Sequence, residues 1–479
     1  MRKFSVLLLF LSVFNLAAQQ HNVTKDPYVP PKDPKVIEKL GDWQNGKFGL
    51  MMHWGTYSIW GIVESWSLCP EDVGWTKRRG PYADDYFEYK KAYEGLKDQF
   101  NPTDFNPEKW ADAAEMAGMK YVVFTTKHHD GFCMFDTQQT DYNIMHSAFG
   151  KNPRANIANE VFKAFRVKDF MIGAYFSKPD WHTPSYWWPY FPPKDRNPSY
   201  DPAKYPEKWA EFKKFTYNQI EELMTNYGSV DILWLDGGWV RPRKTIDPSV
   251  EWQKDIKVDQ DIDMANIAKM ARSHQPGLLM VDRTVGGRFE NYVTPEQHIP
   301  DHYLPYPWET CMTMGNSWSY VPNDKYKSSR TLIHNLANIV SRNGNLLLNI
   351  GPSPQGDFAP EAYDRLKAIG HWMDINSEAI YGTVGDNKIG EKANWVFTWK
   401  GDTAYAIYKV QEGETLMNQF AIQNMSFTEA TKVSLLGSDA KVKLGKGKDG
   451  LSLSLSEKAL KPFAGTEALV FKIEKPFIY

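Results

Sequence analysis

The chain is poor in cysteine, carries almost no net charge, and has no long apolar run after its first residues. Three cysteines in 479 residues, Cys69, Cys133 and Cys311, cannot build a disulfide framework, and their wide spacing fits no zinc site. A net charge of −2 and a sequence pI near 6.6 leave no basic footprint for nucleic acid. Residues 4–14 are apolar apart from two serines, follow Arg2 and Lys3, and lead into Leu16-Ala17-Ala18. This is the pattern of a signal peptide over residues 1–18, too short for a membrane span. No cysteine follows the expected cut, which argues against a lipid anchor. The expectation is an exported protein, periplasmic or secreted, with no membrane span. Internal repeats and low-complexity segments are also absent. So is a GxGxxG turn after the first strand, which argues against a dinucleotide-binding sheet. HEXXH is missing, and the first strand lacks the HxH pair of barrel metallohydrolases.

Aromatic residues are abundant instead, at 14% with 18 tryptophans. Aromatic faces stack on the apolar faces of sugar rings, although a large core also consumes tryptophan. The chain is organised around residues 231–239, DILWLDGGW. Val230, Ile232, Leu233 and Leu235 form a short apolar run between Gly228 and Gly237-Gly238, as in a strand buried on both faces. Asp236 falls at its end. A carboxylate there is costly to bury, and at the C-terminal end of a barrel strand the usual reason is catalysis. Trp234 and Trp239 are candidate aromatic walls.

Around this stretch, strand and helix alternate. Strands are expected at 48–55, 121–129, 170–177, 230–236, 278–283 and 346–350. Helices are expected at 107–118, 156–167, 206–227, 262–274, 328–343 and 360–376. About eight such repeats predict a (β/α)₈-like TIM barrel over 45–378, preceded by a lead-in at 19–44. The irregular stretch between 285 and 309 leaves strands six and seven unplaced. From 379 to 479 the helical period gives way to short alternating runs, which predict an antiparallel β-sandwich. Bracing the barrel is the expected role of that domain.

Polar residues collect at the predicted strand ends: His53 and Trp54 with Glu64 and Trp66 beyond, then His128, His129 and Asp130, Tyr175, Asp236, Asp282 and Arg283. In a barrel these converge on one rim. Adjacent histidines on a strand point to opposite faces, so only one of His128 and His129 reaches the interior unless a bulge re-aims them. Several of these residues are metal-ligand types, but the tryptophan density favours sugar over a hydrated ion. Hydrolysis of a glycoside needs two carboxyl groups. Asp236 is the nucleophile candidate, and Glu296, Glu290 and Glu309 are candidates for the acid/base.

The motifs HWGTYS, ESWS, KHHDGF with TDYN, WLDGGW, TPEQ and NLLLNIGP, in this order, resemble the glycoside hydrolase family 29 α-L-fucosidases. The resemblance implies a barrel plus β-sandwich and retaining hydrolysis of terminal α-linked L-fucose from glycans, without metal or other cofactor. It implies Asp236 as nucleophile and, through TPEQ, Glu296 as acid/base, with Glu290 the rival. It further implies His53, His128, His129, Tyr175, Trp234, Arg283, Glu64 and, through CMTMGNSWSY, Trp318 in the fucose pocket. Ser65 separates Glu64 from Trp66 where many members have Glu-Trp, so Trp66 carries over less directly. A sugar-binding protein on a hydrolase barrel and a transfucosylase are the alternatives.

Overall fold

The computed structural model describes residues 28–478 apart from 71–76, 249, 251–252, 255, 282, 284–288, 391–393 and 448–449. The expected signal peptide and Asp282 lie outside the described residues. Seven parallel strands form one curled sheet: β1 (Phe48–Met52), β2 (Tyr121–Lys127), β3 (Met171–Ser177), β4 (Ile232–Asp236), β5 (Leu279–Met280), β6 (Glu309–Thr313) and β7 (Asn345–Asn349). Their order is β5-β4-β3-β2-β1-β7-β6. Eight longer helices accompany them: α1 (Pro34–Gly46), α2 (Tyr86–Glu94), α3 (Pro107–Met116), α4 (Ile157–Arg166), α5 (Pro206–Asn226), α6 (Met264–His274), α7 (Ser329–Ser341) and α8 (Pro360–Asn376). Proline at the first turn starts α1, α3, α5 and α8, where its missing N–H has no helical partner to lose.

The unplaced region of the sequence has a clear role. The sheet edges β5 and β6 are spanned by residues 291–297, joined through single parallel bridges: Val281 with Tyr292, Val293 with Trp308, Glu296 with Cys311. Asn291 N–H donates to Met280 O at 2.8 Å, and Glu309 N–H to Val293 O at 2.9 Å. An irregular segment thus stands where a regular barrel has a strand. It lacks the period-two pattern because its residues pair singly, and Gln297 ends it with a left-handed φ of 52°.

Strand residues alternate between two cores. Met51, Tyr121, Val123, Tyr175, Trp234, Cys311 and Leu347 pack inside the sheet. Leu50, Val122, Phe124, Ala174, Leu233 and Leu348 pack outwards beneath the helices. Helix α1 joins the inner group. Its Trp43 stacks on Tyr292 at 4.1 Å and its Trp43 carbonyl accepts from Asn345 Nδ2 at 2.7 Å. The expected boundary at residue 45 therefore falls inside a helix that plugs the N-terminal end of the barrel. Only the C-terminal end is left for a site.

The remaining strands are antiparallel: β8 (Val384–Gly385), β9 (Trp395–Lys400), β10 (Thr403–Lys409), β11 (Gln419–Gln423), β12 (Met425–Ser426), β13 (Lys432–Leu435), β14 (Lys443–Lys446), β15 (Gly450–Ser454), β16 (Ala468–Glu474) and β17 (Phe477–Ile478). A five-stranded sheet β13-β16-β10-β9-β8 and a three-stranded sheet β11-β15-β14 enclose Phe397, Phe420, Leu453 and Phe471. The outer face of the larger sheet packs on α7 and α8, adding Tyr405, Ile407 and Val470 to the barrel's core. Arg330 donates to the carbonyls of Val410 (2.6 Å) and Thr466 (3.0 Å), and Trp372 Nε1 to that of Ala468 (3.0 Å). We predict that Trp372→Ala destabilises the whole protein by about 3–5 kcal/mol in denaturant unfolding. Two separated transitions, with the barrel's midpoint unchanged, would show instead that the sandwich does not brace it.

Candidate active site

Parallel register brings the key side chains level. β3 and β4 pair Tyr175 with Trp234 and Ser177 with Asp236. Asp236 closes β4, and Gly237 follows with φ 82°, where a Cβ would lie 2.2 Å from Pro179 Cδ. Only glycine allows that turn, and its N–H donates to Asp236 Oδ1 at 2.7 Å. Arg283, just beyond β5, donates from Nη1 to the same oxygen at 2.9 Å and from Nη2 to Glu296 Oε2 at 2.9 Å. Tyr175 OH donates to Asp236 Oδ2 at 2.6 Å. One guanidinium therefore holds two carboxylates, one on β4 and one on the irregular closing segment.

Arg283 is itself held. Its Nε donates to Thr294 Oγ1 at 3.1 Å, and its carbonyl accepts from Nζ of the buried Lys178. Burial pushes the Glu296 carboxyl up; the Arg283 charge pulls it down, and the Asp236 charge pushes it up again.

Both adjacent histidines reach this site. β2 shifts register against β3 between Thr125 and Lys127, and this bulge re-aims the residues that follow. The His128 and His129 rings lie 4.1 Å apart. His128 Nδ1 meets Ser65 Oγ at 2.6 Å, and His129 Nδ1 meets Ser177 Oγ at 2.6 Å. His53 follows β1, with Nδ1 at 2.8 Å from Asn349 Oδ1 and its ring 5.1 Å from both Tyr175 and Trp318. Glu64 is buried, and its Oε1 accepts Ser319 N–H at 2.9 Å. Burial, above all, pushes its carboxyl up to about 8. Trp66, Trp181 and Trp239 surround His129 with ring centroids at 5.1–5.2 Å.

Other candidates at the strand ends lie elsewhere. Trp234 stacks on Tyr175 at 5.4 Å and lies under the Arg283 guanidinium at 4.7 Å. Its N–H donates to Glu309 Oε1 at 3.1 Å, so it supports Tyr175 and Arg283 and has no donor for a sugar. Glu309 opens β6 and also accepts Tyr121 OH at 2.7 Å, deep inside the barrel; it is not an acid/base for the rim. Trp54 points outwards against Phe100 and Trp110. Asp130 turns away to accept Tyr93 OH at 2.9 Å. Glu290 is half-buried beside Lys178.

A family model described as Alpha-L-fucosidase matches residues 15–378. The chain belongs to the α-L-fucosidase family. Tissue alpha-L-fucosidase of Homo sapiens is 28% identical over 472 residues, covering 94% of this chain and 93% of that protein. Plasma alpha-L-fucosidase of Rattus norvegicus is 28% identical over 394 residues, covering 79% and 78%. Among solved structures, alpha-L-fucosidase isoenzyme 1 from Paenibacillus thiaminolyticus is similar with a TM-score of 0.73 at 28% identity, covering 92% of this chain and 99% of that one. Thermotoga maritima alpha-fucosidase in complex with a mechanism based inhibitor gives 0.71 at 25% identity, covering 94% and 100%. The coarse activity follows from the family: glycoside hydrolysis by an α-L-fucosidase, with fucosylated glycans as substrates.

For this α-L-fucosidase fold, sequence reasoning missed the residues that clamp the site: Ser65, Ser177, Asn349, Thr294 and Lys178. Asn349 carried a signal, a polar residue ending the apolar run LLLNI; Ser65 showed only as the residue separating Glu64 from Trp66, and Ser177 carried none. We predict that Arg283→Gln lowers fucosidase kcat/KM at least about hundredfold, since two charge-assisted bonds are lost. Removing the Arg283 charge also lets the Glu296 carboxyl rise further, so the alkaline limb of the pH profile moves up. Arg283→Lys keeps the charge but not the fork and should fall between. Activity of Arg283→Gln within threefold of wild type would refute this role.

Proposed function

We propose that the protein is an exo-acting, retaining α-L-fucosidase that works by double displacement without a metal ion, and that it is exported after loss of residues 1–18. The observation that carries the mechanism is Arg283 bridging Asp236 and Glu296. A single planar fork sets the spacing of two carboxylates on a scale of a few ångströms, the scale a retaining pair requires (~5–5.5 Å). Three donors, Arg283, Tyr175 and Gly237 N–H, stabilise negative charge on Asp236 and aim it. Asp236 attacks the anomeric carbon and forms a fucosyl ester while Glu296 gives its proton to the leaving oxygen. Glu296 then takes a proton from water, which cleaves the ester. The raised Glu296 carboxyl suits it to the acid role, because it keeps its proton to higher pH than an ordinary glutamate. In support, the similar Thermotoga enzyme takes a mechanism based inhibitor.

His128, His129 and Asp236 each offer a ligand atom, all within 4.8 Å of one another. The donor set does not suit a cation. Arg283 already neutralises Asp236, and a metal would face that guanidinium. The histidines and Glu64 suit sugar hydroxyls, while Trp66 and Trp239 suit the apolar C5 methyl of fucose.

Release of chromophore from an aryl α-L-fucoside by the mature protein is the expected outcome, unchanged by EDTA and falling as pH rises through the Glu296 pKa. We predict that Asp236→Gly loses nearly all turnover and that azide restores part of it as β-fucosyl azide. In Glu296→Ala, azide rescue gives α-fucosyl azide. Should Glu290→Ala show that rescue and Glu296→Ala not, the acid/base assignment is wrong. No release by wild type, with calorimetric binding of L-fucose, would indicate a sugar-binding protein instead.

A further inference from the structure

Each pocket histidine has one ring nitrogen held by a neighbour whose own bonds leave no choice of direction. Ser177 has one hydroxyl proton, and Pro179 O, 2.8 Å away, can only accept it. Ser177 Oγ therefore accepts from His129 Nδ1, which must carry the hydrogen. His129 Nε2 is left with a lone pair. It stands 3.8 Å from Asp236 Oδ2, too far for a hydrogen bond that would favour the other tautomer.

Ser65 works in the opposite sense. It is fully buried and accepts Asp130 N–H at 2.9 Å. Among the described residues, the acceptor that answers its own proton is His128 Nδ1 at 2.6 Å. A buried hydroxyl left without an acceptor costs about 1–3 kcal/mol, so Nδ1 is the bare nitrogen and Nε2 carries the hydrogen.

His53 follows from Asn349. Asn349 Nδ2 donates to Trp318 O at 2.6 Å, and Oδ1 accepts His53 N–H at 3.2 Å. Flipping the amide would set two acceptors face to face at one end and two donors at the other. Oδ1 therefore also accepts His53 Nδ1–H, and Nε2 keeps a lone pair. Burial holds all three rings neutral, with His53 pushed down to about 4, His129 to about 3 and His128 well below the usual histidine range.

We propose that Ser65 and Ser177 are positioning residues that set opposite tautomers on adjacent histidines, so that His128 donates to the sugar while His53 and His129 accept from it. The sugar half of this inference rests on the fucosidase reading; the tautomer half does not. The pattern selects a ligand whose hydroxyls meet it as two donors and one acceptor. Ser65, which separates Glu64 from Trp66 in the chain, supplies the clamp on His128.

Long-range ¹H–¹⁵N correlation on ¹⁵N-histidine protein without sugar reads the tautomers directly, with resonances assigned through His53→Gln, His128→Gln and His129→Gln. The expected result is protonated Nδ1 on His53 and His129 and protonated Nε2 on His128. The same tautomer on His128 and His129 would overturn the proposal, whether or not the wild type cleaves fucosides. In Ser65→Ala the His128 signals should become those of a mixture, and KM should rise about tenfold, the scale of one hydrogen bond, with kcat little changed. In Ser177→Ala, His129 is released to donate towards Asp236, so kcat should fall as well. Unchanged tautomers and kinetics in both serine variants would show that they do not position the rings.

Discussion

A buried guanidinium between two carboxylates governs this structure. Arg283 is almost without solvent, and an unpaired charge there would cost several kcal/mol. Two ionised carboxylates against one guanidinium leave an excess negative charge in a place that burial penalises. The group pushed up, by burial first and then by the Asp236 charge, is Glu296. Pairing, burial and the upward push on one carboxyl are thus one arrangement. It explains why so much surrounds Arg283. Thr294 fixes Nε, Lys178 fixes the carbonyl, and Trp234 supports the guanidinium face.

The fold serves that arrangement by closing one end of the barrel and distorting its wall. Helix α1 fills the N-terminal mouth with Trp43 against Tyr292, and Glu309 meets Tyr121 and Trp234 in the interior. The residues that close the sheet between β5 and β6 make single bridges instead of a ladder. A regular strand would hold successive side chains to alternate faces at fixed rise. Thr294 and Glu296, two residues apart, fall on one side of the closing segment, and both meet Arg283. The bulge in β2 brings His128 and His129 to one site as well.

Legibility in the sequence followed regularity. The helix at 360–376 and the strands before Asp236 were readable because long apolar periods and proline starts are local signals. The closing segment was not, because its pairing is set by β5 and β6 on either side. The rim residues His53, Tyr175, Asp236 and Arg283 were visible as polar breaks at strand ends. Trp54 and Asp130 stood at strand ends too, and only the tertiary direction of each side chain separates them. Ser65 showed only as the residue between Glu64 and Trp66, and Ser177 not at all, since a serine announces no role until its partner is across the barrel.

Neutral histidines in this pocket follow from what happens at Asp236. Attack on an anomeric carbon converts its negative charge into an ester, so every cation nearby holds back the step by stabilising the carboxylate that must be consumed. One cation is needed to tolerate the buried pair, and Arg283 supplies it. Further charge in the form of lysine or arginine would orient sugar hydroxyls equally well but at the expense of the nucleophile. Imidazoles kept neutral by burial avoid that conflict. They direct hydroxyls by hydrogen bonding alone, and His129 turns a lone pair, not a proton, towards the side of Asp236. The serines and Asn349 that fix these rings let the pocket bind a polar sugar tightly without taming its nucleophile.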